Sequence, residues 1–202
     1  MEQQSKEWFA ARSKKITTSR FGDVIANPKT KRYQNYKDEL ICNLNGAPHM
    51  EDDKPWFQHG KELEQIAIER YEFEMFLRGE EIEVLPGGFN VHPKYDFIGS
   101  SPDGNIVPKI ALEVKSSKSH DNYGKLAKTS LPSSHRPQVQ GELWVGEYDA
   151  IDFVLFFRDP DGIMKDEITI NRIFPDLEYH RMLEEKCVSF WAEIMSEITQ
   201  GG

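Results

Sequence analysis

The most informative stretch of the chain is SSPDG at residues 100–104, followed by LEVK at residues 112–115. Side chains alternate between the two faces of a β-strand, so the leucine and valine of the second segment are predicted to anchor it in the core. Glu113 and Lys115 then share the opposite face. Asp103 lies in a Pro-Asp-Gly turn, which a hairpin would bring to the same place.

Two carboxylates and an ammonium at one strand end could hold a divalent metal and position a water molecule. Oxygen ligands of this kind suit Mg²⁺ or Mn²⁺. An acid two residues before a lysine also occurs at Asp52-x-Lys54 and Glu184-x-Lys186, in a predicted loop and a predicted helix. The alternative interpretation of residues 112–115 is a surface strand that carries one ion pair.

A third acid is predicted from helical spacing. In residues 60–75 the apolar side chains recur every three or four positions and form a broad stripe. Glu64 lies at the edge of this stripe, where a carboxylate is costly unless it is paired or binds a cation. It is therefore a candidate metal-site residue. An ion pair with Lys61 or Arg70 is the alternative.

The composition is that of an ordinary globular chain. It has 202 residues, of which 38% are hydrophobic and 29% charged, and a net charge of −9. This balance argues against binding nucleic acid through bulk positive charge. Two cysteines exclude a disulfide framework, and no apolar run or leader-like start suggests a membrane or secretory segment. We expect one domain over residues 1–202 and a reduced, cytoplasmic location.

The charge is nevertheless uneven along the chain. Residues 1–40 hold nine basic against five acidic side chains, and residues 115–140 hold five basic against one acidic. These two stretches could line one positive groove on an acidic protein, although ordinary surface charge is an equal alternative.

Sequence patterns also predict the order of elements. Helices are expected at about 5–13, 19–26, 34–45, 56–78, 135–146 and 175–199, the second starting at Thr18 or Ser19 and the third at Asn35. Strands are expected at 82–85 and 88–91, around a Pro-Gly turn, and at 96–100, 110–116, 150–157 and 163–170. This order indicates an α/β fold with a central mixed sheet and helices on both faces.

In this order, the motifs resemble the PD-(D/E)xK nucleases, and among them the phage lambda exonuclease/YqaJ-type, or alkaline exonuclease, family. The matching segments are Trp8-x-x-x-Arg12 with Ile16-Thr-Thr-Ser19, Gly60-x-x-x-Glu64, Ser101-Pro-Asp-Gly104, Glu113-Val-Lys115 and Pro137-Gln-Val-Gln140-x-x-x-Trp144. The resemblance implies a restriction-endonuclease-like fold. Relatives with an iron–sulfur cluster need four thiolates, which this chain lacks.

The resemblance implies a role for each matched residue. Asp103, Glu113 and the backbone carbonyl of Val114 would ligate Mg²⁺, for which Mn²⁺ would substitute, and Glu64 would complete or support that set. Lys115 would orient or deprotonate the attacking water. Gln138 would position water or phosphate, but Gln140 also fits the spacing of the family motif; on a helix the two cannot point the same way.

The family also implies a pocket for a terminal 5′-phosphate. Arg12, Ser19 and Ser101 match this pocket, and one guanidinium with two hydroxyls suits a phosphate. The alternatives are that Ser19 only caps a helix and that Arg12 is a surface cation. Phe57, as an apolar wedge or a core aromatic, and Lys29, in a loop, are weaker candidates for DNA contact, as is Gln140.

The implied function is a Mg²⁺-dependent 5′–3′ exonuclease that acts on double-stranded DNA ends and leaves 3′ single-stranded overhangs. The family implies a ring-shaped homotrimer and a single-strand annealing protein (recombinase) as partner in phage recombination. The alternatives are a PD-(D/E)xK endonuclease of the restriction or repair type and a catalytically inactive DNA-binding homologue.

Overall fold

The elements below come from a computed structural model that describes residues 5–46, 55–159, 161–163 and 165–201, without the side chains of residues 55–61 and 201. The helices are α1 (Lys6–Ser13), α2 (Phe21–Val24), α3 (Lys31–Leu44), α4 (Pro55–Leu77), α5 (His120–Leu126), α6 (Arg136–Val145) and α7 (Leu177–Gly201). The strands are β1 (Ile16–Thr17), β2 (Leu85–Pro86), β3 (Asn90–Val91), β4 (Ile98–Ser100), β5 (Gly104–Ile106), β6 (Ile110–Ser117), β7 (Ala150–Phe157) and β8 (Glu167–Ile173).

The central sheet has five strands in the order β2-β5-β6-β7-β8. Strands β6 and β7 run parallel, and the other neighbours run antiparallel, so the predicted mixed sheet is confirmed. Every residue of β7 is buried, as expected for a near-continuous apolar strand covered on both faces.

Helices cover both faces of this sheet, as predicted. On one face, Ala67 and Tyr71 of α4 join a cluster with Leu112 and Val114 of β6. On the other face, the buried side chains of α5 and α6 join those of β6 and β7. The alternation expected for β6 is therefore confirmed, and Glu113 lies on the α6 side. Within the described ranges, no helix is long and apolar enough to cross a membrane.

The predicted hairpin around Pro86-Gly87 is wrong. Strand β2 pairs with β5 in the central sheet, whereas β3 pairs with β4 in a second sheet of order β1-β4-β3. Proline is tolerated in β2 because β2 is an edge strand. Gly88, at φ +83°, helps carry the chain from one sheet to the other.

The N-terminal helices differ in detail from the prediction. Ser5 caps α1 by accepting a hydrogen bond from the Trp8 amide at 3.2 Å, as predicted. Residues Thr18–Arg20 form a 3-10 turn instead of a helix start, and no side chain caps this turn, so Ser19 is not an N-cap. Helix α3 begins at Lys31 with Thr30 at its N-cap position, not at Asn35.

The remaining boundaries agree more closely. Helix α4 ends at Leu77 and is followed by Gly79 at φ +82°, the predicted stop. Strand β8 lies at residues 167–173, three or four residues later than predicted, because its register is set by pairing with all of Ile151–Phe157. Strand β7 has its predicted bounds.

Helix α6 approaches the 3-10 turn closely at Gly141. A Cβ atom built there would lie 2.6 Å from the Phe21 ring and 3.1 Å from the Thr18 methyl carbon. A side chain at this position would push α6 away from both residues. The glycine thus fixes how the N-terminal segment packs against α6.

We expect Gly141→Ala to lower the free energy of unfolding by about 1–3 kcal/mol, because overpacking outweighs the gain in helix propensity. Gly124 of α5 is the matched control, since a Cβ there meets nothing within 4 Å. Gly124→Ala should stabilise the protein by about 0.5–1 kcal/mol. Urea denaturation measures both, and equal effects would contradict the close approach at Gly141.

Candidate active site

The candidate site lies at the end of β5, along the edge of β6. Glu113 of β6 is 1% exposed, and its carboxylate forms an ion pair with the ammonium of Lys115. The two side chains meet because they are two residues apart on one strand face. Both side chains therefore lie on the same strand face, as predicted.

Two hydrogen bonds place Asp103 beside this pair. Its amide donates to the carbonyl oxygen of Leu112 at 3.0 Å, and its Oδ2 accepts from the amide of Val114 at 2.7 Å. In an extended strand the N–H and C=O of one residue point to the same edge. The carbonyl of Val114 therefore faces the side on which Asp103 lies.

Gln138 of α6 completes the arrangement around Glu113. Its Nε2 donates to Oε1 of Glu113 at 2.6 Å and to Oε1 of Glu142 at 3.0 Å. Glu142 is a site residue that sequence reasoning missed. Its position four residues after Gln138, on the same helix face, is the signal that could have identified it.

Gln140 points away from the site. Its Nε2 donates to the carbonyl of Phe174 at 3.0 Å, and its Oε1 accepts from the Asp176 amide and from His180 Nε2, each at 2.9 Å. The residue is 3% exposed. The prediction that Gln140 contacts DNA is therefore wrong, because helical geometry turns it toward α7, and Gln138 is the glutamine that faces the acids.

Glu64 is half-buried on α4, which covers the opposite face of the sheet. Burial, then Glu113 and then the charge of Glu64 raise the pKa of Asp103, so Glu64 acts on that carboxyl. Arg70, which was considered as an ion-pair partner of Glu64, instead binds Glu74, and its Nε lies 2.9 Å from Glu74 Oε1. Carboxylates on both faces of the sheet therefore interact electrostatically with Asp103 at the strand end.

Negative charge accumulates in this cluster. Burial, Glu113 and Glu64 raise the pKa of Asp103 well above its usual value, and burial and Glu113 do the same to the pKa of Glu142. Burial acts to lower the pKa of Lys115, but the neighbouring carboxylates outweigh it and raise that pKa. One ammonium faces several acids, so a further cation would relieve their repulsion.

The donor set fits a divalent metal. Oε2 of Glu113 is buried without a hydrogen-bond partner among the described residues, next to the edge where Asp103 and the Val114 carbonyl lie. In the part of the chain that the structure describes, no three acid, histidine or cysteine side chains form a metal cluster. Two carboxylates with a backbone oxygen are the hard ligands that Mg²⁺ accepts alongside water and phosphate.

A cavity of about 300 Å³ lies between α1, the 3-10 turn and α3. The guanidinium of Arg12 stacks on the Trp8 ring at 4.1 Å, and its Nη2 donates to Ser19 Oγ at 3.4 Å. Lys15, Arg20 and Glu39 also line the cavity, and Arg20 forms an ion pair with Glu39 at 2.9 Å. The structure thus brings Arg12 and Ser19 together, as predicted.

Ser101 and Lys29, two further predicted binding residues, lie outside this cavity. Ser101 does not line this cavity, and its Oγ is buried without a hydrogen-bond partner among the described residues. Lys29 is exposed in its loop, where its amide donates to Asn27 Oδ1 at 2.9 Å. The side chain of Phe57 lies outside the described residues, so the wedge stays a prediction.

A mixed sheet flanked by helices, with Asp103 and Glu-x-Lys at one strand end, defines a restriction-endonuclease-like, PD-(D/E)xK fold. The profile of the YqaJ-like viral recombinase domain matches residues 7–149. The chain therefore belongs to the YqaJ-like viral recombinase family.

Solved structures show the same architecture. The alkaline exonuclease LHK-Exo from Laribacter hongkongensis is 31% identical, with a TM-score of 0.81 over 97% of this chain and 95% of that one. A phage-related exonuclease from Haemophilus somnus 129PT shares the fold at 16% identity, with a TM-score of 0.70 over 93% of this chain and 96% of that one.

A viral relative is longer. The uncharacterized protein R354 of Acanthamoeba polyphaga mimivirus is 29% identical over 205 residues, which is 93% of this chain. The chain spans only about a third (35%) of that relative's length.

The raised pKa of Asp103 predicts a pH-dependent cost. A carboxyl whose pKa is higher in the folded than in the unfolded chain destabilises the fold progressively as pH rises above 3.8, and fully above the raised pKa. Asp103→Asn, without divalent metal, should therefore be more stable than wild type at alkaline pH. Each tenfold decrease in the acid dissociation constant of Asp103 on folding adds about 1.4 kcal/mol to this gain. The difference should vanish towards pH 3.8.

Urea denaturation from pH 4 to pH 9 measures this difference. Asp38→Asn is the control, because Asp38 is exposed on α3 and should change stability little at any pH. A wild-type protein that is more stable than Asp103→Asn at alkaline pH would contradict the charge repulsion.

Proposed function

We propose that the chain is a Mg²⁺-dependent exonuclease that degrades double-stranded DNA from 5′ ends and leaves 3′ overhangs for strand annealing. The observation that carries this proposal is the meeting of Asp103, Glu113, Lys115 and Gln138 at one strand end. The relatives named as exonucleases share the fold over nearly their whole length. We propose further that residues 1–202 act as a single nuclease domain.

Asp103, Glu113 and the Val114 carbonyl would hold the metal, with Glu64 supporting Asp103 from the other face of the sheet. A bound Mg²⁺ supplies an acidified water and positive charge at the scissile phosphate. The buried, unpartnered Oε2 of Glu113 is the observation that favours this ligand set.

Lys115 acts as a cation. In the metal-free site, burial acts to lower the pKa of Lys115, but Glu113 and Asp103 outweigh it and raise that pKa, which favours a protonated side chain that orients the attacking water. Its side chain is 30% exposed, which leaves it accessible to a phosphate oxygen or an attacking water. Held by Glu113, it offsets the charge that builds on the phosphate in the transition state.

Gln138 orients the water. Its amide nitrogen contacts two carboxylate oxygens, so each of its two N–H groups has an acceptor. The amide carbonyl oxygen is therefore the atom that can accept a hydrogen bond from the attacking water. This assignment of the amide follows from the two carboxylates, because a carbonyl between them would be repelled.

The cavity at Arg12 would bind the terminal 5′-phosphate. Arg12 presents a guanidinium fork, fixed by stacking on Trp8, and Ser19 adds a hydroxyl. Burial lowers the pKa of Arg12, and Tyr36, Glu142, Glu113 and Asp103 act against this effect, so the pocket lies within electrostatic reach of the catalytic acids. An enzyme that cuts inside a duplex has no need of such a pocket.

The assembly and its partner complete the proposal. A homotrimeric ring with basic segments turned inward would track along duplex DNA, while its acidic exterior would limit nonspecific binding. A single-strand annealing protein would take up the 3′ overhang. The membership in a viral recombinase family supports this role.

Lys115→Ala and Glu113→Ala should each lower the digestion rate of linear duplex DNA by at least about 10³-fold, because charge stabilisation or metal binding is lost. Wild-type digestion should require Mg²⁺ or Mn²⁺ and stop in EDTA. Release of nucleotides measures activity, and fluorescence anisotropy should show that both variants still bind DNA. Nuclease activity retained in either variant would refute its assigned role.

Arg12→Ala should slow digestion of 5′-phosphorylated duplex by about 10–100-fold and that of 5′-hydroxyl duplex far less, because it removes a charge-assisted phosphate contact. Lys14→Ala is the control, since Lys14 is a nearby exposed cation that does not line the cavity. An equal loss of activity on both substrates would contradict the assignment of Arg12 to the phosphate pocket. Cleavage of covalently closed circles by the wild-type protein would favour an endonuclease.

A further inference from the structure

Glu142 is completely buried, at 0% exposure, in the middle of α6. Its Oε1 accepts hydrogen bonds from Gln138 Nε2 at 3.0 Å and from Thr18 Oγ1 at 3.5 Å. Its Oε2 is buried without a hydrogen-bond partner among the described residues. A carboxylate placed this way is costly, so packing alone does not account for it.

The hydrogen bond from Gln138 has a geometric consequence. Of the two N–H groups of that amide, one goes to Glu113 and the other to Glu142. If Glu142 offered no acceptor, the second N–H would lose its partner, and the amide plane could rotate about its remaining contact with Glu113. Glu142 therefore fixes the plane of the Gln138 amide against the catalytic carboxylate, and with it the direction of the amide carbonyl oxygen.

Thr18 connects Glu142 to the Arg12 cavity. It lies between Thr17 and Ser19, which both line the cavity and whose hydroxyl oxygens are 3.3 Å apart. The absence of a side chain at Gly141 lets α6 approach Thr18 closely enough for this contact. A hydrogen-bonded path thus runs from Thr18 through Glu142 and Gln138 to Glu113, and the backbone joins Thr18 to the cavity-lining Thr17 and Ser19.

We propose that Glu142 is a positioning residue of the nuclease reaction, which orients Gln138 against Glu113 and joins the catalytic acids to the end-binding pocket. The inference rests on the proposed nuclease function. Glu142 touches neither DNA nor the reacting atoms; it acts through Gln138.

Two substitutions separate this role from a structural one. Glu142→Leu fills a similar volume and removes the acceptor, so it should leave the melting temperature equal to or above that of wild type. Its kcat on linear duplex should nevertheless fall by about 10–100-fold, with KM changed less than about threefold. Glu142→Gln keeps a carbonyl acceptor for Gln138 and should recover kcat to within about threefold of wild type.

A double-mutant cycle with Gln138→Ala tests whether Glu142 acts through that glutamine. In the Gln138→Ala background, Glu142→Leu should lower kcat by less than about twofold, because the group that it positions is already gone. Fully additive losses would overturn the proposal. Glu185→Leu, on the exposed surface of α7, should change neither kcat nor stability.

Thr18→Val provides a second test for the case in which Glu142→Leu does not fold, because it removes only the hydroxyl that contacts Glu142. It should lower kcat by about two- to fivefold without lowering the affinity for duplex DNA. Wild-type kcat in both Glu142→Leu and Thr18→Val would overturn the proposal while leaving the nuclease function intact. An inactive wild-type protein would overturn both.

Discussion

The site depends on the attachment of Asp103 to the edge of β6. Its amide and its carboxylate each form one hydrogen bond to this strand, to Leu112 and to Val114. These bonds bring a turn residue beside Glu113 and Lys115, which project from the strand itself. Without them the acids would be separated by a hairpin, and the proposed metal site could not form between them.

The surrounding fold packs against this strand on both faces and pairs with it at both edges. Strand β6 lies between β5 and β7, and its apolar face packs against α4 while its polar face meets α6. A strand anchored on both sides loses little further freedom when it binds substrate. The same arrangement places several carboxylates in a poorly solvated region, so the site stores repulsion that a cation can relieve.

Helix α6 links two parts of the molecule that are distant in sequence. Its Gln138 reaches the strand carboxylate, and its Glu142 reaches Thr18 in the segment that walls the Arg12 cavity. Gln140, on the opposite side of the helix, binds the start of α7. One helix therefore contacts the strand carboxylate, binds the start of α7, and joins the proposed metal site to the segment that walls the Arg12 cavity.

The sequence alone determined the strand that carries Glu113 and Lys115, the turn at Asp103 and the helices on both faces, because these follow from short-range periodicity. Only the tertiary structure decided that Gln138 faces the acids, that Glu142 belongs to the site, and that β2 and β3 pair with different strands. Each of these depends on partners far along the chain. Periodicity specifies which residues share a face, but not what that face meets.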